Sequence, residues 1–148
     1  QPVAQNLCPP GTRWGETGVI RPNAPARFSD ITDGTSNTLL MAEAAGRIQL
    51  YRAGKKAFDP DILLVIGGAW ADYNGRVSVS GSRYDGTGLG EGDCVINCTN
   101  AGELYGFHTG GVTALRADGS VFFLKAQTPP AVLAALISKD GGEVIGDY

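Results

Sequence analysis

Residues 30–38, DITDGTSNT, crowd carboxylates, hydroxyls and an amide into one short run. Three kinds of chemistry use such a run: a cation cage, a catalytic cluster, or a turn whose side chains hold their own backbone. An EF-hand loop takes oxygens at positions one, three and five, Gly at six and Glu at twelve. With Gly34 at six, Ser29, Ile31 and Asp33 fall at one, three and five, and Leu40 at twelve. Two of the required places are apolar, and the motif fails. The turn reading fits better. Asp30 caps a short helical turn, Gly34 ends it, and Ser36, Asn37 and Thr38 bond to neighbouring backbone. A calcium site of another kind on Asp30 or Asp33 stays open as the alternative.

His108 is the only histidine. It could serve as a general base if Asp118 oriented it. The intervening residues 112–117 read as a strand of about 20 Å, which puts the two at opposite ends. The expectation is a structural imidazole bonded to a nearby loop carbonyl. The run DGTGLGEGD (85–93) resembles a phosphate-cradling loop, but such loops need a strand before and a helix after. It reads as a flexible loop in which Asp85, Glu91 and Asp93 could ligate calcium weakly. Asn97-Cys98-Thr99 spells a glycosylation sequon, a pattern short enough that coincidence is the usual reading. Trp14, Trp70, Tyr51, Tyr73, Tyr84 and Tyr105 offer rings for a carbohydrate platform, although such rings more often fill cores and interfaces.

The three cysteines are Cys8, Cys94 and Cys98. Cys94 and Cys98 are spaced to close a small disulfide loop, with Cys8 pairing elsewhere or free. Three free thiols, or a zinc set joining all three to His108, are the other readings.

The elements that must position these groups come next. A chain of 148 residues with net charge −3 is expected to form one domain, residues 1–148, with an ordinary core. The charge balance leaves no footprint for nucleic acid. The apolar runs, Ile62–Ile66 among them, are all far shorter than the roughly 20 residues of a membrane helix. Glycine supplies 22 positions, about twice its usual share, so short strands and long Gly-rich loops are expected.

Residues 1–27 read as an extended, loop-rich opening. Residues 38–45 fit a strand or a helix, with the buried strand preferred because the stretch is short and ends at Gly46; 62–71 reads as a strand broken at Gly67-Gly68, and 76–80 as a half-exposed strand. Residues 81–103 read as a long loop clamped by the disulfide. Asp118-Gly119 predicts a type I′ hairpin turn that pairs Ala117 with Ser120, Leu115 with Phe122 and Thr113 with Leu124. Both faces of that hairpin are apolar, which predicts cover on both sides. Thr128 as N-cap, Pro129 at the first helical position, Lys139 in the last turn and Gly141-Gly142 as the stop predict a C-terminal helix. Its stripe of Val132, Leu133, Leu136 and Ile137 should lie on the sheet. The expected class is α+β, an antiparallel sheet with one C-terminal helix packed on it.

The segments FSDITDGTSNTLLMAE (28–43), VINCTNAGELYGFHTGGV (95–112) and ADGSVFFL (117–124) occur in this order. Together they resemble the domain of unknown function 1559 family. Its H-x9-DG motif is matched by His108, Asp118 and Gly119, and the likeness covers most of residues 28–146. The resemblance implies an exported bacterial protein. Such a protein has a prepilin-type N-terminal segment and helix, followed by a pilin-like, β-rich globular head. Against that pattern, the expectation for residues 1–148 is the head alone, without the N-terminal pilin helix and without a membrane segment. The family carries no established activity. The expectation is therefore a non-enzymatic structural subunit, without a cofactor, outside the cell or on its surface. Its partners would be copies of itself, as a homo-oligomer or filament, or other cell-envelope proteins. The alternative is an extracellular module that binds a glycan or envelope component through the 81–105 loop and nearby rings.

Overall fold

A computed structural model describes residues 18–20, 25–59, 67–68 and 78–143. Most of the expected opening segment, Cys8, Trp14, Trp70, Tyr73, most of the 62–71 strand and residues 76–77 lie outside the described residues. The architecture is α+β. Strands β1 (Leu39–Ala42), β4 (Gly111–Arg116) and β5 (Val121–Lys125) form an antiparallel sheet in the order β1-β4-β5. Strands β2 (Tyr51–Arg52) and β3 (Lys55–Lys56) form a separate small hairpin. Helix α1 (Pro130–Ile137) follows β5.

The β4–β5 hairpin forms where expected, in a different register. Leu115 pairs with Val121, Thr113 with Phe123 and Val112 with Leu124. The loop holds three residues, Ala117-Asp118-Gly119, not two. Arg116 and Ser120 close it, with Arg116 N–H donating to Ser120 O at 2.9 Å and Gly119 N–H to Arg116 O at 3.0 Å. A type I′ turn needs positive φ at both central residues. Here Gly119 has φ +88° and Asp118 does not share it. Asp118 Oδ1 instead accepts the Ser120 N–H at 2.8 Å, which favours an ordinary turn followed by a glycine bulge. The two-residue type I′ loop occurs elsewhere, at Ala53-Gly54 (φ 45° and 80°) between β2 and β3.

A one-residue slip reassigns every side chain's partner across the hairpin. Val112, Ala114 and Leu124 share the inner face and are buried. Val121 and Phe123, with Met41 from β1, lie on the other face at 67%, 49% and 56% exposure. The expectation of cover on both faces therefore fails for the outer face.

Helix α1 covers the inner face with Leu133 and Leu136, both buried, while Val132 and Ile137 pack at the margin. Its start is one residue later than expected. Pro129 is the N-cap, in extended conformation, and Pro130 is the first helical residue. The Thr128 hydroxyl makes no capping bond and is buried without a partner. The helix ends at Ser138, whose ψ of 137° is extended. Lys139 and the Gly141-Gly142 pair therefore follow the helix instead of closing it.

Two other expectations are corrected. Of the expected 76–80 strand, the described residues 78–80 form no ladder. Ser78 N–H donates to Gly102 O at 2.7 Å, and Ser80 N–H to the Glu103 side chain. The supposed loop 81–103 contains part of the core. Val95, Ile96 and Leu104 pack with Val112, Leu124 and Leu133, and short bridges join Ser82 to Cys94 and Ile96 to Leu104. The Gly-rich stretch before them is tied down by turns: Gly86 N–H donates to Arg83 O at 2.8 Å and Glu91 N–H to Gly88 O at 2.8 Å.

Candidate functional site

The oxygen-rich run 30–38 is spent on backbone. A 3-10 turn spans Phe28–Asp30, so Asp30 closes it and does not open it. Asp30 Oδ2 accepts the Arg27 N–H at 2.9 Å, which holds the Asp30 carboxyl below the usual carboxylate range. Gly34, with φ +94°, begins the next turn where sequence reasoning had it end the first. Asn37 N–H and the Thr38 hydroxyl both donate to Gly34 O, at 3.0 Å each, and Asn37 Nδ2 donates to Asp33 O at 3.1 Å. The Asp33 carboxylate accepts the N–H groups of Gly141 and Gly142 at 2.8 and 2.9 Å. Asp30 and Asp33 thus point their oxygens at different backbone donors. Among the described residues no group of three or more His, Cys, Asp or Glu side chains is arranged to hold a metal ion.

Residues 94–111 organise the other half of the molecule. Cys94 and Cys98 form a disulfide, with Cα atoms 6.1 Å apart. Between them Asn97 adopts φ 64°, a left-handed conformation that Asn tolerates better than most residues. Its side chain donates to Gly111 O at 3.0 Å and His108 O at 3.4 Å, and accepts from Gly106 N–H at 2.8 Å. The sequon asparagine is thus a clasp on the 106–111 loop. Asn100, fully buried, does the same for another loop. Its Nδ2 donates to Gln49 O at 2.8 Å and Ala45 O at 3.3 Å, and its Oδ1 accepts the Tyr51 N–H at 2.9 Å.

Glu103 is buried at 1% exposure. One oxygen accepts the N–H groups of Ser80 and Gly81 at 2.9 and 3.0 Å, and the other has no partner. Burial pushes this carboxyl up to about 7, against the opposing pull of the two N–H donors.

His108 and Asp118 sit at opposite ends of β4, as the strand length requires. His108 differs from expectation in its partner. Its Nε2 lies 3.5 Å from Glu43 Oε2, just beyond β1, and among the described residues no loop carbonyl takes that place. The same Glu43 oxygen accepts the Thr113 N–H at 3.2 Å. Sequence reasoning missed Glu43 because its 65-residue separation from His108 leaves no local pattern. Beside this pair Phe107, 59% exposed, makes edge contacts with Tyr51 and Tyr105 at centroid distances of 5.0 and 5.6 Å. Tyr105 is buried, and its hydroxyl accepts the Gly54 N–H at 3.0 Å. Tyr84, at 79% exposure, stands in the 81–93 region, where Asp85 bonds Thr87 and Glu91 pairs with Arg83.

The outer face of the β1-β4-β5 sheet is the second candidate. Met41, Ala42, Glu43, Thr113, Leu115 and Val121 line a shallow groove of about 260 Å³. Met41 pairs with Leu115, and Leu115 with Val121, so the apolar side chains form one band across three strands. An apolar band of this kind on a folded surface commonly marks an interaction site. Among the described residues no helix is long and apolar enough to cross a membrane.

Comparison with known proteins gives one match, and it spans most of the chain. Residues 8–131 match the family described as "Protein of unknown function (DUF1559)". No curated protein and no solved structure matches the chain significantly. The family match covers the turn at 30–38, the disulfide, His108, the Asp118-Gly119 hairpin and the start of α1. The chain belongs to the DUF1559 family.

Proposed function

We propose that this chain is the globular part of an exported, pilin- or pseudopilin-like subunit. In this reading it assembles on the cell surface or in a filament with copies of itself or with envelope proteins. It acts by burying surface and not by catalysis. The observation that carries the reading is the apolar band of Met41, Leu115, Val121 and Phe123 on the outer face of the sheet. The polar groups support it, because most serve the backbone. Asp30, Asp33, Asn97, Asn100 and Asp118 each accept from or donate to main-chain groups. The Glu43–His108 pair is at the surface, and its carboxylate is shared with a β4 N–H. Electron microscopy of the native material tests the reading. Regular polymers or surface arrays containing the chain are expected, and a monomer in every preparation overturns it.

A second reading, glycan or envelope binding, has a specific observation in its favour: the exposed ring of Phe107 beside the Glu43–His108 pair. Sugars stack on such rings while carboxylates and imidazoles take their hydroxyls. Glycan-array binding that disappears in Phe107→Ala, with folding intact, would establish it.

A further inference from the structure

The outer face of the sheet carries charges as well as apolar groups, and their placement is asymmetric. Glu43 lies at the β1 edge, level with Thr113 of β4, to which its backbone N–H donates at 3.0 Å. Lys125 lies at the β5 edge, paired with Gly111 of β4, and is exposed. Alternation along β5 puts Lys125 on the outer face with Val121 and Phe123, and Glu43, just beyond β1, lines the groove on that face with Met41 and Val121. An acid and a base thus flank β4 on opposite edges, near the same end of the sheet. Between them and the other end runs the apolar band.

We propose that this face recognises a second copy of itself, two sheets meeting face to face about a two-fold axis that runs along β4. Such an axis exchanges the two edges while keeping the ends in register. Glu43 of one copy then lies at the level of Phe123 of the other, with Lys125 one residue pair farther along the same strand, and this contact occurs twice. The Met41 edge faces Val121, and Leu115 and Thr113 meet their own counterparts at the axis. A two-fold interface requires this kind of self-complementarity. Axes perpendicular to β4 would instead bring each charged end over the apolar end. The pairing level is offset by one residue pair, roughly 7 Å along the strand, which a lysine side chain spans. The inference rests on the assembly reading and names its contact.

The face is small. Three strands about 4.8 Å apart and four to six residues long present roughly 200–300 Å² in projection. A standard stable interface buries about 800 Å² per partner. The contact therefore belongs to the weak, concentration-dependent class, as expected of one contact among several in an assembly.

Sedimentation equilibrium over a concentration series reaching the millimolar range tests this, on the chain carrying Cys8→Ser. Self-association is expected in the parent. Val121→Glu should weaken it about tenfold or more, because it places an unpaired charge in the band. Lys125→Glu should weaken it by opposing two carboxylates, and adding Glu43→Gln should recover most of the loss. Thr113→Cys should be joined to its counterpart by a short bismaleimide, while Ser29→Cys, outside the sheet, should not. Circular dichroism on each variant confirms folding. Association that persists unchanged in Val121→Glu and Lys125→Glu overturns the face and leaves the assembly reading standing. A parent monomeric throughout overturns both. A monomeric parent that binds a different envelope protein, and loses that binding in Val121→Glu, overturns the two-fold and assigns the face to that protein.

Discussion

The Asp33 carboxylate holds the backbone N–H of Gly142, at 2.9 Å, across 109 residues of chain. A second bond to Gly141 at 2.8 Å, and the Asp33 N–H donated to Lys139 O at 3.2 Å, complete a clamp on the segment leaving α1. Hydrogen bonds to a charged acceptor contribute about 1.5–3 kcal/mol where solvent is limited, and less at an exposed site such as this one. Asp33→Ala is expected to lower stability by about 1–2 kcal/mol in urea unfolding. Calcium or a chelator should leave the parent's thermal midpoint unmoved. A rise with calcium that Asp33→Ala abolishes would instead assign Asp33 to a cation.

Glu103 makes stability depend on pH, with a sign that follows from its burial. Its folded-state value is raised from 4.5 to about 7. A raised carboxyl favours the folded state fully below the unfolded value, and that contribution fades as pH rises through the folded value. Stability should therefore fall between about pH 4.5 and 7 and level off above, by an amount on the order of 3 kcal/mol at most. Glu103→Gln keeps an acceptor for Ser80 and Gly81 and cannot ionise. Its unfolding free energy should lose this slope, measured by denaturant titration at each pH. An unchanged slope in Glu103→Gln would assign the dependence to other groups.

Asn100 is a buried side chain whose loss should be costly for its size. Truncation to Ala leaves Tyr51 N–H, Gln49 O and Ala45 O without their partner. Each buried group left unsatisfied costs about 1–3 kcal/mol. Asn100→Ala is expected to destabilise by about 3 kcal/mol or more. Asn100→Asp keeps one acceptor but brings a carboxylate against two carbonyls, so it should rescue little. Amide exchange at Tyr51 reports the local loosening. A variant within about 0.5 kcal/mol of the parent would refute the clasp.

Much of this architecture is legible in the residues, and the failures have physical causes. The β1 strand, the β4–β5 hairpin and α1 follow from local signals: apolar runs, Asp-Gly, and Pro before an apolar stripe. The hairpin register does not, because Asp-Gly serves both a two-residue type I′ loop and a three-residue loop with a glycine bulge. The Asp118–Ser120 bond selects the second. The Ala53-Gly54 turn is hidden because Ala seldom takes the positive φ it has there. Residues 94–105 read as loop because Cys, Asn, Thr and Gly separate their apolar residues. Their burial comes from side-chain clasps by Asn97 and Asn100 in place of a ladder. Glu43 meets His108 only through the sheet, since Glu43 follows β1 and His108 precedes β4. No periodicity could pair them.

Glycine positions separate steric need from conformational need, and two of them give a matched test on one hairpin. A Cβ on Gly111 would sit 2.1 Å from Leu124 O, inside the β4–β5 ladder, so the strands must part to admit it. A Cβ on Gly119 meets nothing within 4 Å, and the penalty there is only the φ of +88°. Gly111→Ala is expected to disrupt the pairing of β4 with β5 and to destabilise by about 3 kcal/mol or more, as overpacking against backbone does. Gly119→Ala should cost about 1–2 kcal/mol, the left-handed penalty of an L residue, and Gly119→Asn less. Urea midpoints of the three variants give the order directly. A Gly119→Ala as damaging as Gly111→Ala would mean that the turn, and not the close approach of the two strands, holds the hairpin in register.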